Sequence, residues 1–142
     1  MDYSQIKTIL LLCIFLFFCF PQAKGSRKYT ICVYNSLPVE SPDKLRVHCF
    51  SKDDDIGFHV LSPYEDINWS FQINHWIFAR TTFFCSFWWG KKAQAFIVFD
   101  DENICISDSQ LPQATDYCQW TAQEDGIYLS GEQGYGYKYS SW

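Results

Sequence analysis

Alternation with a period of two runs along most of this chain and restricts it to β structure. Ile67, Trp69, Phe71 and Ile73 alternate with Asn68, Ser70, Gln72 and Asn74, so the apolar side chains of that segment share one face of a strand. Leu45, Val47 and Cys49 alternate in the same way with Arg46, His48 and Phe50, and Ile31 and Val33 stand opposite Thr30, Cys32 and Tyr34. Residues 81–89 are apolar on both faces, the pattern of a central strand covered on two sides. Gly90-Lys91-Lys92 turns that strand back into 93–100 as a hairpin. Residues 117–122, 126–130 and 135–139 supply later strands, with Glu124-Asp125-Gly126 as the turn between the first two. With a strand around Val60 this makes about eight short strands, separated by turn signals at 38–43, 52–57, 62–66, 90–92, 100–113 and 131–134. No stretch sustains a 3.6-residue period. The expectation is an all-β fold, one compact antiparallel β-sandwich.

The first 25 residues stand outside that pattern. Lys7 precedes an apolar run from Ile9 to Phe20, followed by Pro21 and by the small residues Ala23 and Gly25 just before Ser26. The run is about a dozen residues, short of the roughly 20 a spanning helix needs, and the order of features is that of a secretory signal peptide. Residues 1–25 are therefore expected to be a signal peptide and 26–142 the sandwich domain, secreted to the extracellular space without membrane insertion.

The whole chain of 142 residues carries a net charge of −5. Without the 25 residues of the leader, 117 remain, with 15 acids against 9 bases. Phosphate backbones are held by basic surfaces, so this balance excludes a nucleic-acid partner and disfavours an anionic membrane surface. Of the 117 residues, 23 are Phe, Trp or Tyr, a load that excludes disorder. A chain of this size buries about two-thirds of the surface it exposes when unfolded, enough for a true core.

Cys13 and Cys19 lie in the leader, which leaves Cys32, Cys49, Cys85, Cys105 and Cys118. In an oxidising compartment five cysteines read as two disulfides and one leftover thiol, or as an intermolecular link through the odd one. No pair has the CxxC spacing by which two thiolates share a zinc ion, so neither a metal nor any other cofactor is expected.

Five separate motifs carry a resemblance. Val47-His48-Cys49 is followed by Ser51-Lys52-Asp53-Asp54-Asp55-Ile56-Gly57. Then come Trp69-Ser70-Phe71, Thr82-Phe83-Phe84-Cys85-Ser86-Phe87-Trp88, and Cys118-Gln119-Trp120 followed by Asp125-Gly126-Ile127-Tyr128. Asn35 and Leu37 fit as well. Together these resemble the plant self-incompatibility S-protein homologue family, over essentially the whole mature chain. The resemblance implies a β-sandwich held by two disulfides. The family's four recurrent cysteines map onto Cys49, Cys85, Cys105 and Cys118, and their pairing stays open among three connectivities. Cys32 departs from the family, which ordinarily has an apolar residue there, and is the candidate free thiol. The resemblance also implies no known enzymatic activity. The best-understood members are secreted ligands that trigger rejection of self pollen through a pollen-surface receptor, while most others have no assigned role.

Individual residues sharpen or weaken this reading. Asn68-Trp69-Ser70 is an N-glycosylation sequon on the polar face of its strand. Asp53-Asp54-Asp55 lacks the alternate ligand spacing and terminal Glu of an EF-hand loop, and reads as a solvated turn into Gly57, where φ > 0 is permitted. His48, His59 and His75 invite a ribonuclease reading, but their contexts do not reproduce the motifs of the S-locus ribonucleases, and an acidic chain is a poor RNA cleft. No GxSxG or HExxH motif is present and no carboxylate is marked as a raised-pKa acid, so no catalytic residue is assigned. Trp76, Trp88, Trp89 and Trp142 are candidates for sugar stacking, but Trp88 and Trp89 fall on opposite faces of one strand, so at least one packs in the core.

The leading reading is a small ligand in cell–cell signalling, a monomer that engages a cell-surface receptor through polar loops. Asp53, Asp54 and Asp55 in one connection and Asp100, Asp101, Glu102 and Asp108 in another are the candidate recognition residues. A carbohydrate- or cell-wall-binding or defence protein is the second reading, and a small hydrolase or ribonuclease the third.

Overall fold

The computed structural model describes residues 2–19, 27–73, 80–100, 104–106, 108, 110–111 and 115–142. An apolar helix, α1 (Tyr3–Cys19), precedes the strands. Nine strands follow among the described residues: β1 (Lys28–Asn35), β2 (Leu45–Phe50), β3 (Asp55–Leu61), β4 (Asp66–Gln72), β5 (Thr82–Trp89), β6 (Lys92–Asp100), β7 (Tyr117–Gln123), β8 (Gly126–Ser130) and β9 (Gly136–Ser141). They form a five-stranded sheet in the order β4-β1-β7-β8-β9 and a four-stranded sheet in the order β3-β2-β5-β6. No described helix is long and apolar enough to cross a membrane.

The sandwich departs from the sequence reading in three ways. First, β1 pairs antiparallel with β4 but parallel with β7. β1 lies between two strands that run in opposite directions, so one of its pairings has to be parallel. Second, β3 begins at Asp55, inside the segment read as a turn. Cys49 faces Gly57 while Phe50 faces Asp55, so Ile56 is the extra residue of a bulge. Gly57 adopts φ +91°, a conformation glycine reaches without steric cost. Third, β5 is covered on one face only. Phe83, Cys85 and Phe87 are buried against the five-stranded sheet, while Phe84, Ser86 and Trp88 are half-buried on the outer side. Their partial burial comes from neighbouring rings of the same sheet, described below.

The core is the sum of the inward positions. Ile31, Val33, Trp120, Ile127 and Leu129 of the five-stranded sheet meet Val47, Phe83, Phe87, Val98 and Phe99 of the other. Trp120 is fully buried, and its indole N–H donates across the interlayer space to the carbonyl of Val98 at 3.2 Å. Its ring packs on Phe96 and edge-on against Tyr139, with centroids 5.1 and 4.8 Å away. Trp69 also points inward, 5.6 Å from Phe83, but on the edge strand β4 it stays half-buried, and its buried indole N–H has no acceptor among the described residues.

Asn35, fully buried at the end of β1, is the second tie between layers. Its amide donates to the carbonyl of Leu61 at the end of β3 and its carbonyl accepts from the Leu37 N–H, at 3.0 and 2.9 Å. The polar group is tolerated in the core because both of its ends are satisfied.

The disulfides join Cys49 to Cys85, directly opposed on β2 and β5 with Cα atoms 4.1 Å apart, and Cys105 to Cys118, with Cα atoms 5.8 Å apart. They span 36 and 13 residues of sequence, and each restricts the unfolded chain by about 3–4 kcal/mol in the chain-entropy picture. Cys32 is a free, buried thiol on the outer side of β1, with Sγ 3.7 Å from Asp66 and the Tyr117 hydroxyl beside it. Burial pushes its pKa up, which favours the protonated thiol.

Trp120→Ala should cost about 3–5 kcal/mol, because it removes a buried ring and leaves the Val98 carbonyl unpaired. Asn35→Ala should cost about 1–3 kcal/mol through two orphaned backbone groups, and Trp69→Ala less than Trp120→Ala. Urea unfolding of the disulfide-intact protein measures all three. An unfolding midpoint unmoved by Trp120→Ala would show that this ring does not hold the layers together.

Candidate functional site

Four connections gather at one end of the sandwich. The strand registers place the β2–β3 turn, the β4–β5 and β6–β7 connections and the β8–β9 turn there, with the start of β1. Both sequence-predicted recognition segments therefore share one end.

The β2–β3 turn is short and fixed by its own backbone. Ser51 N–H donates to the Asp54 carbonyl at 2.7 Å, and Asp54 N–H donates to Ser51 Oγ at 3.0 Å. This closed loop holds Asp53 and Asp54 outward, both exposed, and neither carboxylate makes an ion pair among the described residues. Beside it lies a hollow of about 420 Å³, walled by Ser51, Lys52 and Asp53 on one side and by Gln72, Arg80 and Thr82 on the other.

The remaining predicted acids are occupied by the fold. Asp55 belongs to β3 rather than to the turn. It accepts from the Gly57 N–H at 2.9 Å and pairs with His48 Nε2 at 2.8 Å. The His48 bond, then the Gly57 N–H, hold its carboxyl below the ordinary carboxylate range. Asp100, at the end of β6, is half-buried and paired with Arg80 at 2.6 Å. Asp108 accepts from the Tyr137 hydroxyl at 2.7 Å, and burial together with that bond pushes the Tyr137 phenol up. Asp101 and Glu102 lie outside the described residues, as do His75 and Trp76. Of the predicted recognition acids, Asp55, Asp100 and Asp108 thus brace the loop end, while Asp53 and Asp54 make no ion pair among the described residues. The bracing pairs join residues 7, 20 and 29 apart in sequence, and neither the strand pattern nor the charge count points to them.

Among the described residues, His48 and His59 form no acid–base pair. His48 points to the outer face of β2, while His59, opposite the inward Val47, bonds through Nε2 to the Ile56 carbonyl at 2.9 Å. They lie on opposite sides of one sheet. Of the tryptophans proposed for sugar stacking, Trp89 and Trp142 pack together at 6.0 Å against the core, and Trp142 donates to the Gln123 carbonyl at 2.6 Å. Trp88 alone of the described three faces outward, within a cluster of exposed and half-buried rings that sequence reading did not single out. The signal was present in the outward set Phe50, Phe58, Phe84 and Trp88, all apolar where polar residues are usual on a solvated face.

Asn68 sits on the outer face of β4, exposed, with its amide donating to Asp66 at 2.9 Å. Around it, hydroxyls and amides bond one another, Thr30 to Ser70 at 2.8 Å and Gln119 to Thr121 at 3.1 Å, alongside the Cys32 thiol and the rings of Tyr34 and Tyr117.

Comparison with known proteins places this architecture. Residues 30–142, which take in all nine strands but the first two residues of β1, match the family described as Plant self-incompatibility protein S1. S-protein homolog 5 of Arabidopsis thaliana is 31% identical over 135 residues, covering 90% of this chain and 94% of that protein. S-protein homolog 21 of the same plant is 31% identical over 137 residues, covering 92% and 97%. A solved structure of SPH (Self-Incompatibility Protein Homologue) proteins, described as a widespread family of small, highly stable, secreted proteins from plants, aligns with a TM-score of 0.61. It covers 83% of this chain and 96% of its own at 18% identity, a likeness of fold. With its strands matched from β1 to β9, the chain belongs to the plant self-incompatibility protein S1 family.

Proposed function

We propose that this protein is a secreted ligand in plant cell–cell signalling, of the self-incompatibility type, which engages a cell-surface receptor through the loop end of its sandwich. The observation that carries this reading is the Ser51–Asp54 turn. It presents two exposed carboxylates, without ion pairs among the described residues, on a backbone fixed by its own hydrogen bonds, beside an open hollow. Rigid presentation lowers the ordering cost of binding, and unpaired charge steers a basic partner into contact. The sandwich and its disulfides supply the scaffold and loops supply specificity, a division that lets one fold serve different partners.

Export is supported by the apolar helix α1 ahead of the sandwich and by the relatives described as secreted. On this reading residues 1–25 are removed and 26–142 form the mature ligand. No catalytic role is part of it, since His48 and His59 face opposite ways. The sequon at Asn68 belongs to the same reading: a glycan there covers the polar outer face of the five-stranded sheet and leaves the loop end free.

Asp53→Asn with Asp54→Asn should leave the fold and melting temperature unchanged. Binding of the labelled protein to plant plasma-membrane preparations should fall by roughly tenfold or less in association rate, and by more at low salt than at high salt. An unaltered association rate at both salt levels removes this turn from the binding surface. For Asn68, secretion from plant cells should yield a protein whose gel mobility increases on enzymatic deglycosylation, and Asn68→Gln should abolish that shift. A single species unaffected by the enzyme shows an unused sequon.

A further inference from the structure

The outer face of the four-stranded sheet is broad, exposed and apolar. Its registers build a grid: Arg46 lies between Val60 and Trp88, His48 between Phe58 and Ser86, and Phe50 between Asp55 and Phe84. β6 extends the rows with Ala93, Ala95 and Ile97. Phe58 and Val60 are 56% and 54% exposed, and Phe50 39%. The rings run as a continuous strip, Trp88 to Phe58 to His48 to Phe50 and from there to Phe84, with centroid steps of 5.6, 6.3, 5.4 and 5.6 Å. The Arg46 guanidinium stands 6.0 Å from the centre of the Trp88 ring. None of these rings fills the core, since Val47, Cys49, Phe83 and Phe87 do so from the same strands. The corresponding face of the other sheet carries a network of hydroxyl, amide and carboxylate bonds around Asn68, Ser70 and Gln119. A contiguous patch of Phe, Trp and Arg with its charges paired or stacked has the composition of an interface centre, and differs from the scattered exposed apolar residues of ordinary surfaces.

The two ends of this strip differ in charge. Lys44, Arg46 and Lys91 are exposed at one end, against Asp43; Asp53 and Asp54 are exposed at the other, beside Lys52. A polyanion meets the acidic end and the chain's net charge of −5, and a polycation meets the basic end. A second copy satisfies both. Turned about a two-fold axis lying in the interface and across the strands, it brings its acidic end over the basic end of the first, its basic end over the acidic end, and strip onto strip. We infer that the protein self-associates through this face as a two-fold dimer, replacing the monomer expected from sequence. Four strands at about 4.8 Å and about six residues at about 3.3 Å make a face roughly 20 Å on a side, the footprint of a small reversible interface rather than an obligate one. The axis points the two loop ends in opposite directions, and the Asp53–Asp54 turn, open to a receptor in the monomer, is covered by the partner in the dimer.

Sedimentation velocity of the protein secreted into culture medium tests this without reference to any receptor. Its mass should rise from one chain toward two as concentration increases. Phe58→Ser with Trp88→Ser should weaken association by at least about tenfold with an unchanged circular dichroism spectrum. The variants Lys44→Glu/Arg46→Glu and Asp53→Lys/Asp54→Lys should each dissociate alone, and their equimolar mixture should restore the dimer, because each variant then presents charges opposite to those it faces. A monomer at every concentration overturns the inference. So does a dimer indifferent to Phe58 and Trp88, or a mixture that stays monomeric. Retention of a monomer on neutral wall polysaccharide, lost with Phe58→Ser/Trp88→Ser, gives the face to a glycan instead. Receptor binding measured at dilutions where only monomer exists keeps the loop-end reading separate from this one.

Discussion

The placement of one indole sets the geometry of the sandwich. Trp120 fills the space between layers and also bonds across it, its N–H reaching the Val98 carbonyl while its ring lies against Phe96 and Tyr139. Side chains alternate along β7, so its inward direction fixes those of its neighbours. Cys118 and Ala122 point to the core with it, and Gln119 and Thr121 point to solvent. Cys118 inward is what allows the Cys105 bond, which ties the long β6–β7 connection to the base of β7. Gln119 and Thr121 outward complete the polar row on the opposite face. A slip of one residue in β7 would reverse all of these at once, which is why register is strongly specified where one face is buried.

The two layers solve the outer-surface problem differently. Over the five-stranded sheet, hydroxyls and amides bond to one another and to water, and even the buried thiol of Cys32 lies against Asp66. Over the four-stranded sheet, rings shield one another in tilted and stacked pairs, which recovers part of the apolar contact that a second layer would give. The cost of leaving those rings partly in water is borne by the free chain, and covering the face would relieve it. A fold that needed only a core would gain solubility from polar residues at Phe50, Phe58 and Trp88.

This difference shows what alternation in a sequence reports. A period of two identifies which residues share a face, and it located the inward sets of β1, β2 and β4. It says nothing of what lies over a face. At β5 an apolar outward set reads as a second covering layer, whereas sideways packing among Phe84, Trp88 and the rings of β2 and β3 accounts for it. The start of β3 was hidden for a related reason: three consecutive aspartates look like a turn, but Asp55 is held in a strand by His48 and by the Gly57 bulge. The bracing of Asp100 by Arg80 and of Asp108 by Tyr137 depends on which loops the topology brings to one end, and no local pattern encodes that. Disulfide pairing is of the same kind, because Cys49 and Cys85 are joined by the register of β2 with β5 rather than by any feature of their spacing.

Separating acids that hold the fold from acids that are free changes how the loop end is understood. Neutralising Asp100 removes a partner from Arg80 and loosens the β6 terminus, so a loss of binding in such a variant would report a disturbed scaffold as readily as a lost contact. Asp53 and Asp54 are different: their turn is closed by backbone and Ser51 contacts that do not use either carboxylate. Charge at that turn can therefore change between relatives without a stability penalty, while the braced acids stay tied to their partners. The same independence holds at the opposite pole of the molecule, where Lys44, Arg46 and Lys91 border the ring strip without entering the core. The residues that hold the interior are thus different from the exposed end charges, and a sandwich fixed by Trp120, Asn35 and two disulfides can keep its interior while those charges are exchanged.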